Sequence, residues 1–369
     1  MKKRLGISLY PEYASDEQCM AYLETASNYG FSVLFLALLG IGKEKDCQAA
    51  LCRYQRITSH AKKLGYEICA DVNPMVFHTL GVNARFFEAP LDLGLFSKLQ
   101  IDILRLDLGM SDLEEAYLSK NQEKIKICLN GASKNDHIGN VLGAGADAQM
   151  LLGCCNYYPH RYTGMSLPSF EQGAANWKKY NLRLMAFVSS NEPGAFGPWP
   201  VTEGLPTLEM HRDWNIRVQT KHYLLMDTVD DIMIGNCFAS KEELSSMAEE
   251  AAAEKITFRA RLAEGLPENM KQRLQMHLSV RGDQGEYLIR SLESRMLRTE
   301  VEPFHTVDIR PGDLLVDNKL YGQYAGEVQI ALKDMKNSGK TNVVGHIHEE
   351  ELALLPYLKG GQAFGFQFI

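Results

Sequence analysis

Three carboxylates of this sequence, Glu12, Asp71 and Asp107, each end a short apolar run, in the stretches GISLYPE, ICAD and ILRLD. Arg105 precedes Asp107 by two positions, so on a strand the two side chains lie on one face. Two carboxylates, one of them protonated, are the usual equipment for cleaving a glycosidic bond, and a nearby cation keeps one of them ionised. Carboxylates also bind divalent metals, but this set contains no histidine, which argues against a transition-metal site. We therefore expect an acid–base site without metal or cofactor.

The elements that must position these residues are eight short apolar runs, which alternate with helical patterns along the first two-thirds of the chain. The runs span residues 4–12, 31–39, 66–73, 102–110, 124–132, 149–159, 183–191 and 231–238. Eight strand–helix units in about 240 residues predict an α/β fold, a (β/α)8 TIM barrel, although a doubly wound sheet with six or seven strands would look similar. A final helix begins at Ser240, with Glu243 three residues later as a capping box.

After Ile256 the residue pattern becomes typical of short strands separated by turns. We expect residues 1–254 to form the TIM-barrel catalytic domain and residues 255–369 a smaller β-rich domain, a small barrel or sandwich. His346 and His348 stand two apart on a predicted strand and so face the same way. A metal pair would need a third ligand that the sequence does not supply, so we expect no metal there.

Alternation along the predicted strands identifies the side chains that reach the mouth of the barrel. Outward residues meet helices and must be apolar, whereas inward residues near the carboxyl ends of the strands line the active site. With the carboxylates and Arg105, the inward set comprises Tyr10, Asn130, Asn156, Tyr158, Ser189, Asn191 and Asn236. Any one of these Asn or Ser side chains could instead cap a helix, but together they predict a ligand pocket.

The loops after the sixth and seventh runs, residues 156–173 and 191–214, are rich in Gly, Pro and aromatic residues. This composition suits a wall that stacks on sugar faces. The loops add Glu203 as a third candidate carboxylate, and Arg161, His211 and Arg212 as candidate cations, each of which could equally be an ordinary surface residue.

The end of the eighth run brings Gly235, Asn236 and Ser240 to the start of a helix. Free N–H groups and the macrodipole favour a phosphate at such a helix start. The same residues would also serve as an ordinary helix cap, so both interpretations stay open.

The composition excludes several classes of protein. Apolar residues make up 45% and charged residues 23% of the 369, which is enough for a sizeable core, and the net charge of -7 offers no footprint for nucleic acid or an anionic membrane. The apolar run from Phe31 to Gly42 is too short to span a bilayer. We expect no export, because Pro11 and Glu12 interrupt the first apolar stretch before it forms the core of a signal peptide. Eight scattered cysteines form no Cys-x-x-Cys pair. We expect a cytoplasmic protein with reduced thiols that binds neither nucleic acid nor membrane.

Five segments resemble the 6-phospho-N-acetylmuramidase family of bacteria, in order and over essentially the whole chain: GISLYPE, LRLDLG, NYYPHRYTG, EGLPTLEMHR and VDNKLYGQYAGEVQI. The resemblance implies a TIM barrel followed by a cyclophilin-like β domain. It also implies cytoplasmic hydrolysis, in peptidoglycan recycling, of the β-1,4 bond between N-acetylmuramic acid 6-phosphate and N-acetylglucosamine. That phosphorylated amino-sugar disaccharide carries a phosphate, a lactyl carboxylate and acetamido groups, which Arg161, Arg212, Asn156, Asn191 and Asn236 could meet.

The catalytic roles come from expected geometry and not from the resemblance. Glu12, beside the aromatic Tyr10, is the predicted acid. Asp107 would stabilise or attack the anomeric centre, or orient the acetamido group if the substrate assists. Glu203 is the third candidate, and Arg105 an electrostatic support that pairs with Asp71 or Glu12.

Two other functions fit the same residues less well. A non-catalytic sugar-phosphate sensor would not need several inward carboxylates, which repel an anion. A metal-dependent sugar-phosphate isomerase or aldolase would lose activity on chelation. The second domain could close over the barrel mouth, contribute substrate contacts from Asp317, Asn318 or Tyr324, or mediate a homodimer, and the sequence does not choose among these.

Overall fold

The computed structural model of the protein describes residues 3–38, 41, 47–83, 90–133 and 135–369. The chain divides into two compact units, Met1–Ala251 and Ala252–Ile369. Within the described ranges, no helix is both long enough and apolar enough to cross a membrane.

The first unit is a closed barrel of eight parallel strands in chain order, which confirms the predicted (β/α)8 barrel. The strands are β1 (Arg4–Leu9), β2 (Val33–Ala37), β3 (Glu67–Val72), β4 (Ile103–Leu106), β5 (Lys126–Asn130), β6 (Leu151–Cys154), β7 (Leu184–Val188) and β8 (Asp231–Ile234). Each lies inside one of the eight apolar runs, because a barrel strand meets helices on one face and packed side chains on the other. Residue 39, at the end of the second run, lies outside the described residues.

The first unit contains nine α-helices within the described residues, and several of them begin at side-chain caps. The helices are α1 (Asp16–Asn28), α2 (Cys47–Lys63), α3 (Pro74–Thr79), α4 (Gly94–Lys98), α5 (Asp112–Leu118), α6 (His137–Gly143), α7 (Leu167–Lys179), α8 (Ile216–Met226) and α9 (Lys241–Ala252). The predicted capping box before α9 is present: the Glu243 N–H donates to Ser240 Oγ at 3.2 Å, and the Ser240 N–H donates to Glu243 Oε2 at 3.1 Å. Such reciprocal bonds satisfy two N–H groups that the helix leaves unpaired.

The barrel interior is apolar below its mouth. Its buried cluster consists of Val33, Phe35, Cys69, Ile103, Cys128, Leu152, Cys154, Met185, Phe187 and Met233. At the amino-terminal end, Asp231 accepts hydrogen bonds from Arg4 at 2.8 Å and from Arg183 at 2.6 Å. Since active sites of such barrels lie at the opposite end, we assign this ion-pair network to stability.

The second unit is one mixed sheet of seven strands in the order β10-β15-β9-β14-β12-β13-β11. Its strands are β9 (Ile256–Leu262), β10 (Leu278–Ser279), β11 (Leu288–Arg290), β12 (Asp313–Asp317), β13 (Val328–Ala331), β14 (Thr341–Ile347) and β15 (Ala363–Phe368), and its helices are α10 (Glu268–Leu274) and α11 (Leu292–Met296). β9 and β15 pair in parallel, and the other pairs are antiparallel. The β-rich prediction is confirmed, and the structure adds the two helices, which at seven and five residues are too short to show a clear period.

Asp317, the last residue of β12, is a buried carboxylate that should make stability depend on pH. Burial raises its pKa to about 7, and the charge of Glu327 adds to this, while hydrogen bonds from Thr341 and Gln329 oppose it. The folded state therefore holds a proton that the unfolded state releases between about pH 4 and pH 7, so stability falls as pH rises through that window. We expect Asp317→Asn to be more stable than the wild type at pH 8, by on the order of 2–4 kcal/mol, and to lose the pH slope. Urea denaturation at pH 5 and pH 8 measures both, and an unchanged slope in the variant would contradict the assignment.

Candidate active site at the barrel mouth

The fourth strand carries a charged pair into the barrel. Ile103 belongs to the interior cluster, so Arg105, two residues further on, points to the same side. Only 4% of Arg105 is exposed, and the strand register sets it directly beside Asp71 of β3. The alternation of charged and apolar residues in ILRLD therefore separates the barrel interior from the helix layer, and not solvent from core.

Arg105 bridges two carboxylates. Its Nη1 donates to Asp71 Oδ1 and to Asp107 Oδ1, both at 2.6 Å, and its Nη2 donates to Asn156 Oδ1. The two carboxylate oxygens are therefore no further apart than twice 2.6 Å. The Nε of Arg105 is buried and has no hydrogen-bond partner among the described residues. One cation thus offsets the negative charge of two acids at the mouth.

The bridged acids form part of a cavity of about 90 Å³. Its lining consists of Phe35, Asp71, Arg105, Asp107, Asn156, Tyr157, Phe187 and Trp199. Tyr157 and Phe187 pack edge to face with ring centroids 5.0 Å apart, and 44% of Trp199 is exposed at the rim. The volume is below the range of about 300–1,000 Å³ for whole-ligand pockets, so this cavity is the floor of a more open site.

The two acids differ in their surroundings. The Asp107 side chain is 33% exposed and the Asp71 side chain only 2%. Burial raises the pKa of Asp71 to about 6, the charge of Asp107 contributes to the rise, and Arg105 opposes it. A carboxyl with such a pKa can hold or release a proton near neutral pH, which is what general acid–base catalysis requires.

The structure brings together four of the predicted site residues and leaves the others outside the cavity. Asp71, Arg105, Asp107 and Asn156 line it. The residues outside its lining are Tyr10, Glu12, Asn130, Tyr158, Arg161, Ser189, Asn191, Glu203, His211, Arg212 and Asn236. No group of three or more His, Cys, Asp or Glu in the described part of the chain has a geometry that could hold a metal ion.

Glu12 and Glu203 do not line the cavity of the bridged acids. β1 ends at Leu9, and Pro11–Tyr13 forms a 3-10 helix, so strand alternation no longer directs Glu12 inward. Its carboxylate instead accepts a hydrogen bond from the Tyr54 hydroxyl of α2. Glu203 is exposed, and its Oε2 accepts the Arg161 N–H at 2.8 Å.

Arg212 is not the surface cation that the sequence suggested. The residue is only 3% exposed, and its Nε and Nη2 donate to the Glu209 carboxylate, each at 2.7 Å. The remaining donors reach backbone carbonyls of residues 158, 160, 203 and 204. Arg212 therefore ties the sixth and seventh loops together. Arg161 is more exposed and pairs with Asp213 at 2.7 and 3.0 Å.

Loss of this clamp should loosen both loops. Arg212→Gln would remove the guanidinium donors to four loop carbonyls and to the Glu209 carboxylate, which among the described residues would keep only the N–H groups of Tyr162 and Gly164. We therefore expect a loss of about 2–4 kcal/mol in the free energy of unfolding. Limited proteolysis should then cut within residues 156–173. Arg161→Gln is the matched control and should be near wild type, because its ion pair is exposed. Equal protease resistance of the wild type and Arg212→Gln would contradict the clamp.

His211 also differs from expectation, because it is fully buried and supplies no positive charge. Its Nε2 lies 2.7 Å from Nδ1 of His222, and its ring packs against Trp214 and Tyr223. Burial, with a contribution from His222, lowers the pKa of His211 well below its usual value. The loop-histidine prediction failed since α8 and the 3-10 turn Glu209–His211 enclose the ring.

Polar residues at the ends of β7 and β8 bond to one another. Asn236 Oδ1 accepts the Ser190 N–H at 2.8 Å, and Asn236 Nδ2 donates to the Ser190 carbonyl at 2.9 Å. Ser189 Oγ donates to Asn236 Oδ1 and accepts the Leu205 N–H. Asn191 is exposed, and its Nδ2 donates to the Arg212 carbonyl at 3.3 Å. These side chains hold the loops in place.

The start of α9 already holds a carboxylate. Glu243 accepts the Ser240 N–H, the Ser190 hydroxyl at 2.6 Å and the Asn191 N–H at 3.0 Å. The Glu243 carboxylate therefore occupies the helix start at which the sequence allowed a phosphate. Of the two interpretations, the structure supports the helix cap.

Three other predicted site residues make hydrogen bonds within the barrel and its loops. The Tyr10 hydroxyl donates to the Gly235 carbonyl and joins β1 to the end of β8. Asn130 Oδ1 accepts the Ala132 N–H at 2.9 Å and shapes the turn after β5. Tyr158 is half-buried and pairs with Pro206 through its backbone N–H at 3.1 Å.

The cavity is completed by four aromatic residues that were not among the predicted site residues, namely Phe35, Tyr157, Phe187 and Trp199. Tyr158 was predicted to point inward because the alternation rule was applied beyond Cys154, where β6 ends. Trp199 had a usable signal, since it lies in the aromatic, Gly- and Pro-rich seventh loop. Phe35 and Phe187 have the pattern of ordinary core residues, and both also belong to the interior cluster.

Comparison with known proteins identifies relatives of the whole chain. A family model for the N-terminal part of 6-phospho-N-acetylmuramidase matches residues 5–249, and one for the C-terminal part matches residues 256–367. The crystal structure of an uncharacterized B. cereus protein is 34% identical, with 100% of each chain covered and a TM-score of 0.88. A conserved protein of unknown function from a locus in Enterococcus faecalis is 23% identical, with 99% of this chain and 96% of that chain covered and a TM-score of 0.72.

Among curated proteins, the comparison finds no match. The two family models nevertheless cover nearly all of the chain, one on the barrel and one on the seven-stranded sheet. This chain therefore belongs to the 6-phospho-N-acetylmuramidase family and is a glycoside hydrolase.

Proposed function

We propose that this protein hydrolyses the β-1,4 bond between N-acetylmuramic acid 6-phosphate and N-acetylglucosamine, with Asp107 and Asp71 as its acid–base pair. The observation that carries the proposal is the buried Arg105, which bridges these two carboxylates on the floor of an aromatic-lined cavity. Family membership supports the choice of a phosphorylated muramic acid as substrate.

Asp107 is the member of the pair that meets the sugar, because it is the more exposed of the two. It stabilises positive charge at the anomeric carbon or attacks that carbon. The two Oδ1 atoms are no further apart than twice 2.6 Å, which argues against an inverting mechanism, because that mechanism needs a spacing of about 6.5–9.5 Å between the acids.

Asp71 is the proposed proton reservoir. Its raised pKa of about 6 lets it donate a proton near neutral pH, as Glu12 was first expected to do. The catalytic roles of Glu12 and Glu203 stay predictions from the sequence. If Asp71 is the acid instead, Glu12→Gln and Glu203→Gln should retain most of the wild-type turnover.

The aromatic lining suits sugar binding. Rings of Tyr157 and Trp199 present apolar faces to the C–H groups of a pyranose, while Asn156 offers an amide to the acetamido groups. Arg161, in the sixth loop, pairs with Asp213. Because exposed ion pairs are weak, Arg161 can exchange this partner for the phosphate of the substrate.

The experiment that tests this function is incubation of the protein with the phosphorylated disaccharide, followed by mass identification of the products. We expect N-acetylglucosamine and N-acetylmuramic acid 6-phosphate, and much slower cleavage of the disaccharide without phosphate. Binding without release of N-acetylglucosamine would favour a sensor instead. Loss of activity on chelation would favour a metal-dependent isomerase or aldolase.

The pH profile tests the role of Asp71. The carboxyl is mostly protonated below its pKa of about 6 and mostly ionised above it. We expect kcat/KM to fall as pH rises above about 6, tenfold for each pH unit once ionisation is complete. Asp71→Asn should remove this limb. The same limb in Asp71→Asn would assign the acid to another group.

The phosphorylated substrate also supports a proposal for where in the cell the enzyme works. Sugar phosphates of this kind arise inside the cell, so we propose that the enzyme works in the cytoplasm, in the recycling of peptidoglycan sugars. Assembly as a homodimer stays a prediction, which light scattering of the purified full-length chain would decide.

A further inference from the structure

A second cavity, of about 380 Å³, is made wholly by residues of the Ala252–Ile369 unit. It lies beside β9, β14 and the start of β12. Its charged and histidine lining consists of Arg261, His305, Arg310, Asp313, His346, His348 and Glu349, and its apolar lining includes Leu262, Val343 and Ile347. The volume is within the range for small-molecule sites, and it would hold a monosaccharide with one substituent.

Two arginines of this cavity have guanidinium groups that donate no hydrogen bond to a carboxylate of the described residues. Arg261 is exposed on β9 and forms no ion pair with any residue that the structure describes. The Arg310 side chain is 67% exposed, and Nε of that residue lies 3.7 Å from Asp313 Oδ1, beyond hydrogen-bond distance. By contrast, Arg105 and Arg212 at the barrel are held by short bonds to carboxylates. Two open guanidinium groups on one cavity match the oxygens of an anion.

The histidines of the cavity are held in fixed orientations. His346 Nδ1 lies 2.8 Å from Asp313 Oδ1, and because a carboxylate accepts, Nδ1 carries the proton. Its Nε2 is sealed from solvent without a hydrogen bond among the described residues, with Glu349 Oε1 at 3.4 Å. A buried polar atom without a partner points to a missing ligand or water.

His305 adds a second fixed ring. Its Nδ1 donates to the Val343 carbonyl at 3.1 Å, which leaves Nε2 free to face a ligand. Its backbone has a φ of 43°, in the left-handed region that non-glycine residues rarely adopt. The Val343 N–H holds this conformation by donating to the His305 carbonyl at 3.2 Å.

We propose that this cavity binds the phosphate of a phosphorylated hexosamine, as a ligand site of the second unit. The guanidinium groups of Arg261 and Arg310 meet the phosphate, and Val343 with Ile347 covers a C–H face of the sugar. Glu349 at the rim repels the phosphate but can accept from an amine or hydroxyl of the ring. The choice of a hexosamine rests on the proposed function, whose substrate and product are such sugars, whereas the anion site rests on the cavity alone.

Calorimetric titration of the full-length protein with glucosamine 6-phosphate tests this site. We expect saturable binding that weakens at least tenfold in the double variant Arg261→Gln/Arg310→Gln. Arg298→Gln is the matched control, since that arginine is exposed and pairs with Glu300 elsewhere in the unit, and its affinity should equal that of the wild type. Inorganic phosphate should compete, and unphosphorylated glucosamine should bind at least tenfold more weakly.

Equal affinity in the wild type and the double variant would overturn the proposal, and so would the absence of saturable binding by the wild type. Asp107→Asn should bind glucosamine 6-phosphate with unchanged Kd, and loss of binding there would put the ligand in the barrel and also overturn it. Release of N-acetylglucosamine by the wild type decides the proposed function separately, so the two proposals can fail independently.

Discussion

Asp107→Asn should lower kcat/KM for the phosphorylated disaccharide by on the order of 10³-fold or more, the largest effect on activity that we expect. The amide keeps the shape of the side chain, and its oxygen can still accept from Arg105 Nη1, a bond of 2.6 Å in the wild type. It loses the negative charge that stabilises or attacks the anomeric carbon. Steady-state release of N-acetylglucosamine measures the loss.

Asp213→Asn is the control for this variant, because Asp213 is also a carboxylate paired with an arginine but is 72% exposed on a loop. It should retain most of the wild-type kcat. Thermal unfolding should show Asp107→Asn folded, with a Tm close to that of the wild type. If Asp107→Asn keeps more than a tenth of the wild-type rate, Asp107 is not the catalytic carboxylate.

Arg105→Met should cause the largest loss of stability. It removes a buried cation and leaves Asp71 without an ionic partner in the barrel interior. Breaking a buried ion pair from one side costs about 3–5 kcal/mol. The cost should be greater at pH 8 than at pH 5, because the pKa of Asp71 rises further without Arg105 and a protonated carboxyl needs no cation. Urea denaturation at both pH values measures the difference.

Two further variants separate this electrostatic cost from a simple packing defect. Arg105→Met/Asp71→Leu removes both charges and should recover part of the lost stability. Arg56→Met removes an arginine that is 58% exposed and pairs with Asp16, and should cost less than about 1 kcal/mol. A loss for Arg105→Met that is the same at pH 5 and pH 8 would show that burial of charge is not its cause.

The barrel could be predicted from the sequence because of where its strands lie. A strand such as β4 is buried on both faces, so it forms an apolar run in the sequence, and a charged residue within that run must face the interior. The local pattern alone therefore places Arg105 and Asp71 in the same space. It also predicts the capping box of Ser240 and Glu243, which depends on residues only three apart.

Strand alternation predicted side-chain directions poorly beyond the last residue of each strand. Side chains alternate only while the backbone is extended, so it misdirected Glu12, which follows Pro11 in a 3-10 helix, and chose Tyr158 where Tyr157 lines the cavity. In the second unit, α10 and α11 have too few residues for a helical period to show.

The sequence by itself determined the two-part architecture, the α/β barrel and the family, because these depend on local hydrophobic patterns and on motifs spread along the whole chain. Only the tertiary structure decided how the charges are paired. It joins Arg212 to carbonyls of the sixth loop, Glu243 to Ser190 and Asn191, and Arg105 to Asp71. Such pairings join residues from different strands and loops, and a charged side chain binds whichever opposite charge the folded chain brings within about 4 Å.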